Sequence, residues 1–129
     1  MTAPSSAFGL SDIGQIAIVV KDLERATAYY RDALGLKFLF SAPNLAFFQA
    51  GSVRLMLTPP EQQEFDHPAS ILYFTVARID EAVRALQARG VAFRDEPHIV
   101  HRTDAMELWM SHFHDCEENT FVLMETRAK

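Results

Sequence analysis

A single cysteine, Cys116, stands in 129 residues, so no disulfide can close within the chain. The expected setting is a reducing cytoplasm. Basic runs are also missing. Twelve Lys and Arg against 17 Asp and Glu leave a net charge of -5, which argues against a nucleic-acid or anionic-membrane surface. No apolar run approaches the roughly 18 residues that cross a bilayer. Residues 1–12 lack the charged start and long apolar stretch of a secretion signal and read as a flexible lead-in. A Gly-rich phosphate loop, a serine nucleophile elbow and a cysteine pair at zinc spacing are all absent, which removes the usual sequence signs of those chemistries.

What is present is an ordinary globular composition, 49% hydrophobic and 22% charged, in a length that suits one domain. Ile13–Val20 is apolar and β-branched and predicts a strand. Asp22 is a good helix N-cap, and Leu23, Ala26, Tyr30 and Leu34 follow at helical spacing until Gly35. Lys37–Phe40 is a short strand. Leu45–Ala50 and Val53–Thr58 form a hairpin about Gly51–Ser52. Residues 59–69, with Pro59, Pro60 and Pro68, read as a linker. The pattern then restarts. Ile71–Val76 predicts a strand, Ile79–Arg89 a helix ended by Gly90, and Val91–Phe93, Leu108–His114 and Thr120–Glu125 three more strands.

The order βαβββ therefore occurs twice, over 13–58 and 70–126. AIVVKDLERATAYYRDALGLKF in the first half parallels LYFTVARIDEAVRALQARGVAF in the second, which points to an internal duplication.

Two segments carry a resemblance. VVKDLERATAYYRDALGLKF resembles the opening of vicinal oxygen chelate proteins, the superfamily of glyoxalases, bleomycin resistance proteins and extradiol dioxygenases. HDCEENTFVLMET resembles their closing hairpin, with Cys116 where Pro is usual and Glu118 where Gly is usual. The glutamate brings a Cβ to a turn position that favours positive φ. With the repeat, the resemblance covers about Ile13 to Thr126. It implies an α+β fold in which two βαβββ modules form a curved eight-stranded cup. It also implies a ligand in the cup, frequent homodimers and, in many members, a divalent ion held by four strand residues.

The resemblance places those four positions on Gln15, Met56, Ile71 and Val122. Divalent metals of this kind want carboxylate, imidazole or thiolate donors. Three apolar side chains supply none, and one neutral amide does not hold an ion against water. A slip of one residue reaches Leu55 or Leu57, Ser70 or Leu72, and Phe121 or Leu123, and does not repair the set. No metal or other cofactor is expected at these positions.

Strand alternation extends the same face to Ala17, Val19, Phe47, Gln49 and Arg54 in the first half. In the second it reaches Tyr73, Thr75, Met110, His112, Thr120 and Met124. Pairing about the turn sets Gln49 opposite Arg54 and Phe47 opposite Met56. The resulting surface is apolar with a few polar groups: Gln15, Gln49, Arg54, Tyr73 and His112. It suits an organic molecule with a hydrophobic body and an anionic or carbonyl end. Arg54 offers a fork for a carboxylate or phosphate, or is a solvated rim residue. His112 offers acid–base chemistry, or simply fills space. Tyr73, Phe47, Met56 and Met110 serve as contacts or as packing. His112 and His114 form an H-x-H pair on one strand face, with His98 and His101 shortly before, an alternative metal-binding pattern. Cys116 is expected as an exposed turn thiol, and Trp109 and Phe113 as packing on the opposite face.

Three functional readings follow. The first is a small-molecule-binding protein, a homodimer like the bleomycin resistance proteins, working without the superfamily's ion. The second is a metal-dependent lyase, isomerase or dioxygenase of the glyoxalase type. The third is a metal-free enzyme using His112 as catalytic acid or base beside Arg54.

Overall fold

Gly51, at φ 61°, folds the strand Leu45–Ala50 (β3) back on Val53–Thr58 (β4) in the register expected from the turn: Gln49 faces Arg54 and Phe47 faces Met56. A side chain at that φ would crowd the backbone, so glycine is the inexpensive choice. The computed structural model describes residues 8–60 and 66–129. Residues 1–7 of the lead-in and 61–65 of the linker lie outside it.

Gln15–Val19 (β1) runs parallel to β4, and Lys37–Ala42 (β2) pairs antiparallel with β3, giving a sheet of order β1-β4-β3-β2. The expected start at Ile13 falls two residues early. Ile13 lies before the ladder and is exposed.

The second sheet repeats the plan. Leu72–Thr75 (β5) runs parallel to Thr120–Ala128 (β9), which pairs antiparallel with Met106–His114 (β8). Its outer edge comes in two pieces, Ala92–Phe93 (β6) and His98–Arg102 (β7), both paired with β8. The expected scheme had no strand at His98–Arg102. Its polar side chains hide the alternation, and Pro97, which cannot donate to a ladder, stands just before it. The break between the pieces spans Arg94–Pro97. Fold class and the doubled plan are as expected, and the sheets are separate and open.

Leu23–Ala28 (α1) starts at Asp22, whose side chain accepts the Arg25 N–H at 3.1 Å. From Tyr29 to Ala33 the helix widens into a π-turn, with the Leu34 N–H donating to the Tyr29 carbonyl at 3.0 Å. The two tyrosines of that turn both reach the second half. Tyr29 Oη donates to the His114 carbonyl at 3.2 Å and Tyr30 Oη to Asp115 Oδ2 at 2.6 Å. The second helix, Ile79–Ala88 (α2), has no side-chain cap of its own. Glu125 of β9 accepts the Ile79 N–H at 2.8 Å instead.

One core joins both halves. Tyr30 lies 5.9 Å from the Phe48 ring of the first sheet and 6.2 Å from Phe121 of the second, and Phe113 stands 5.8 Å from Phe121. Tyr30, Phe48 and Phe121 are fully buried, with Phe113 nearly so. Removing such a ring costs about 3–5 kcal/mol. The inner faces of the strands and the two helices are thus committed to packing, which leaves the opposite sheet faces for function.

Candidate functional site: the outer faces of the two sheets

Strand register turns the expected lining residues into rows. Across the first sheet Gln15, Arg54 and Gln49 stand side by side, and the next row holds Ala17, Met56, Phe47 and Phe40. Across the second sheet one row is Tyr73, Val122 and His112. The row beside it is Thr75, Met124, Met110 and His98. Ile71 lies just outside β5 and is exposed, as is Tyr73. Val122 is fully covered by its neighbours, so it forms floor rather than a contact point.

In the first sheet the polar row is bonded together. Arg54 Nε donates to Gln15 Oε1 at 2.7 Å, and Gln15 Nε2 contacts Met56 Sδ at 3.6 Å. The Arg54 guanidinium sits 4.8 Å from the Phe47 ring centre, a cation–π distance, and Phe47 stacks on Phe40 at 4.5 Å. Gln49 turns to its own hairpin and donates to the Gly51 carbonyl at 2.6 Å. Beyond Met56 the face hollows into a cavity of about 420 Å³ lined by Ala17, Val19, Leu45, Met56, Pro59 and His67, among others. The first sheet therefore offers a positive fork beside an apolar hollow.

The residues the superfamily would use for its ion do not fit one. Gln15 and Met56 stand on one sheet, while Val122 belongs to the other and Ile71 lies just outside it. The Gln15 amide oxygen is taken by Arg54, whose positive charge would repel a cation. Met56, Ile71 and Val122 contribute a thioether and two hydrocarbons, none of them a donor a hard or borderline divalent ion selects.

The second sheet holds the titratable group. Asp95, in the break between β6 and β7, accepts the His112 backbone N–H at 2.7 Å through Oδ1, and its Oδ2 stands 2.9 Å from His112 Nδ1. Ser111 donates to the Asp95 carbonyl at 2.9 Å and approaches Oδ1 at 3.3 Å. Desolvation pushes the Asp95 carboxyl up, but the bonds from His112 outweigh it and hold the group below its ordinary value. His98 stacks beside His112, rings 6.1 Å apart and 14° from parallel. The H-x-H pairing is not the one formed: among the described residues the donors brought together are those of Asp95, His98 and His112. Among the described residues His114 Nε2 is buried without a hydrogen-bond partner. Sequence reasoning missed Asp95. Its one sequence sign is the Asp-Glu-Pro turn between the edge pieces.

Cys116 is half-buried rather than exposed, and burial pushes its thiol up, away from a reactive thiolate. Phe113 packs on the opposite face as expected. Trp109 is partly buried there, and the Arg127 guanidinium lies 4.3 Å from its ring centre.

The chain belongs to the glyoxalase/bleomycin resistance protein/dioxygenase superfamily, whose family model matches residues 12–124. Solved structures share its fold. One is a member of that superfamily from Sphaerobacter thermophilus, 24% identical over 90% of this chain and 98% of that one, with a TM-score of 0.71. Another is TnmS3, an antibiotic binding protein from a Streptomyces species, 21% identical over 92% and 98%, TM-score 0.72. A third is lactoylglutathione lyase from Agrobacterium tumefaciens, 22% identical over 91% and 95%, TM-score 0.69. No curated protein matches the chain. Among the described residues no helix is long and apolar enough to cross a membrane.

Proposed function

We propose that this protein binds a small organic molecule on the apolar outer face of its sheets, without an ion at the superfamily's four positions. The observation that carries the reading is the Gln15–Arg54 bond. It occupies the one family position with a polar side chain and sets a guanidinium in the row beside Met56, which lines an apolar hollow. An anionic or carbonyl end would meet Arg54, and a flat hydrophobic body would lie over Met56 and Phe47. The likeness to an antibiotic binding protein supports a sequestering role. Ile71 at 52% and Tyr73 at 51% exposure are large apolar side chains suited to cover by a second copy, and we read the protein as a homodimer.

The test is a panel of aromatic carboxylates, each paired with its neutral carboxamide, titrated calorimetrically into chelator-treated protein. Carboxylates that bind, and that lose binding in Arg54→Ala, support the reading. A panel without binders, or binding indifferent to Arg54, overturns it. Light scattering gives the mass in solution, and a monomer would remove the dimer.

The Asp95–His112 pair favours a second reading, acid–base catalysis. A carboxylate on Nδ1 leaves Nε2 free to take a proton from a substrate. An activity whose pH–rate profile disappears in His112→Ala would favour this over sequestration.

A further inference from the structure

The break in the edge strand of the second sheet has a chemical consequence. We propose that Asp95, His98 and His112 form a binding site for a borderline divalent cation, Zn2+, Co2+, Ni2+ or Fe2+, displaced by one strand from the superfamily position at Val122.

One donor atom from each of the three residues lies within 4.8 Å of the other two. Two ligands on one zinc ion, at about 2.0–2.1 Å each, stand roughly 3.4 Å apart, so His98 has to draw in by up to about 1.4 Å, while His112 Nδ1 and Asp95 Oδ2 already stand 2.9 Å apart. His98 is exposed on an edge strand and has the freedom to make that movement.

The contact of His98 Nδ1 is the Glu96 carbonyl at 2.8 Å, which can only accept, so Nδ1 carries the proton and Nε2 presents a lone pair. Metal-bound histidines characteristically hand their second ring nitrogen to a backbone carbonyl in this way. His112 Nδ1 faces Asp95 Oδ2 at 2.9 Å, and the cation takes the place of the proton these two atoms share. The support is rigid on the Asp95 side, where fully buried Ser111 and the His112 N–H fix the turn.

Two imidazoles and a carboxylate discriminate against Ca2+ and Mg2+, which prefer oxygen ligands. The exposure of His98 leaves room for water to complete the coordination shell. The strand break places the site here. It releases Asp95 from the ladder so that it reaches the β8 backbone, and it restarts β7 with His98 opposite Met110, diagonal to His112.

The experiment uses untagged, chelator-treated protein and metal ions alone, so its outcome is independent of any organic ligand. Co2+ is titrated with visible absorption as readout, and Zn2+ by calorimetry. The expected result is one ion per chain with a ligand-field band of nitrogen and oxygen coordination. His98→Ala and His112→Ala should each abolish stoichiometric binding. Asp95→Asn should lose most of it, since a neutral amide replaces the anionic donor. His98 is exposed, so its variant keeps the fold, which circular dichroism checks. Binding that persists in both histidine variants, or no stoichiometric binding to the folded wild-type protein, would overturn the proposal.

Discussion

The Glu117 carboxylate accepts the Asp22 backbone N–H at 2.8 Å across 95 residues of sequence. Its other oxygen takes the Lys21 N–H at 2.9 Å, and Arg25 completes the group at 3.3 Å. A carboxylate from the closing hairpin of the second half thus serves the start of the first helix, where N–H groups lack partners and the helix dipole favours negative charge.

Replacing Glu117 by Gln should therefore cost about 1.5–3 kcal/mol, the range of hydrogen bonds to a charged group. The loss should depend on pH. Burial pushes the Glu117 carboxyl up, but the two backbone N–H groups and Arg25 outweigh burial and hold it low. A carboxyl depressed in the folded state contributes stability that is complete above its unfolded pKa and is lost as pH falls through the folded one. Urea melts should show wild type weakening below about pH 4.5 and the variant weakening less steeply, so that the two curves converge in acid. An equal gap at neutral and acid pH would sink this account.

The same hairpin carries a strained residue. Glu118 sits at φ 66°, in the left-handed region where the relatives' pattern has glycine. That conformation costs a side-chain-bearing residue about 1–2 kcal/mol, and the relief glycine brings is partly offset by the greater entropy of its unfolded chain. Glu118→Gly should accordingly stabilise the protein by about 0.5–1 kcal/mol. The urea midpoint should rise with no change in slope. A lower midpoint would show that the Glu118 side chain contributes more than its backbone strain costs.

Much of this hairpin was legible beforehand, because HDCEENTFVLMET resembles the closing hairpin of the superfamily. The Gly51–Ser52 turn likewise set the register of Phe47, Gln49, Arg54 and Met56 correctly, since two strands joined by two residues leave little freedom. The Asp95–His98–His112 group was not legible in the same way. It depends on an edge strand broken at Pro97, and no local periodicity marks a carboxylate that crosses to the next strand. The π-turn at Tyr29–Ala33 escaped for a related reason. Apolar spacing alone does not distinguish a helix that widens to place two tyrosines against a neighbouring hairpin.

Those tyrosines supply another prediction. Tyr30 Oη donates to Asp115 Oδ2 at 2.6 Å, and Asp115 also accepts N–H groups from Glu117 and Asn119 and from the Asn119 amide. Burial comes first, and then the Asp115 charge, in driving the Tyr30 hydroxyl far above its ordinary pKa, so it remains a donor throughout the accessible range. Tyr30→Phe keeps the ring contacts with Phe48 and Phe121 and removes only the bond. The expected loss is about 1.5–3 kcal/mol, because the acceptor is charged and stays buried. Thermal melts give the value. Unchanged stability would mean that the remaining donors satisfy Asp115 on their own.

Arg54 carries the last. Its Nε bonds Gln15 while the guanidinium lies against Phe47, which leaves the terminal nitrogens for a ligand. Lysine keeps the charge but loses the planar fork and the Nε donor, and it has no flat face to lay on a ring. Arg54→Lys should therefore weaken an aromatic carboxylate by about tenfold, close to 1.4 kcal/mol, with Arg54→Ala losing more. A neutral carboxamide of the same body should be affected by neither to that extent. If lysine binds the carboxylate as tightly as arginine, charge alone is being read, and the preorganised Gln15–Arg54 pair is not what selects the ligand.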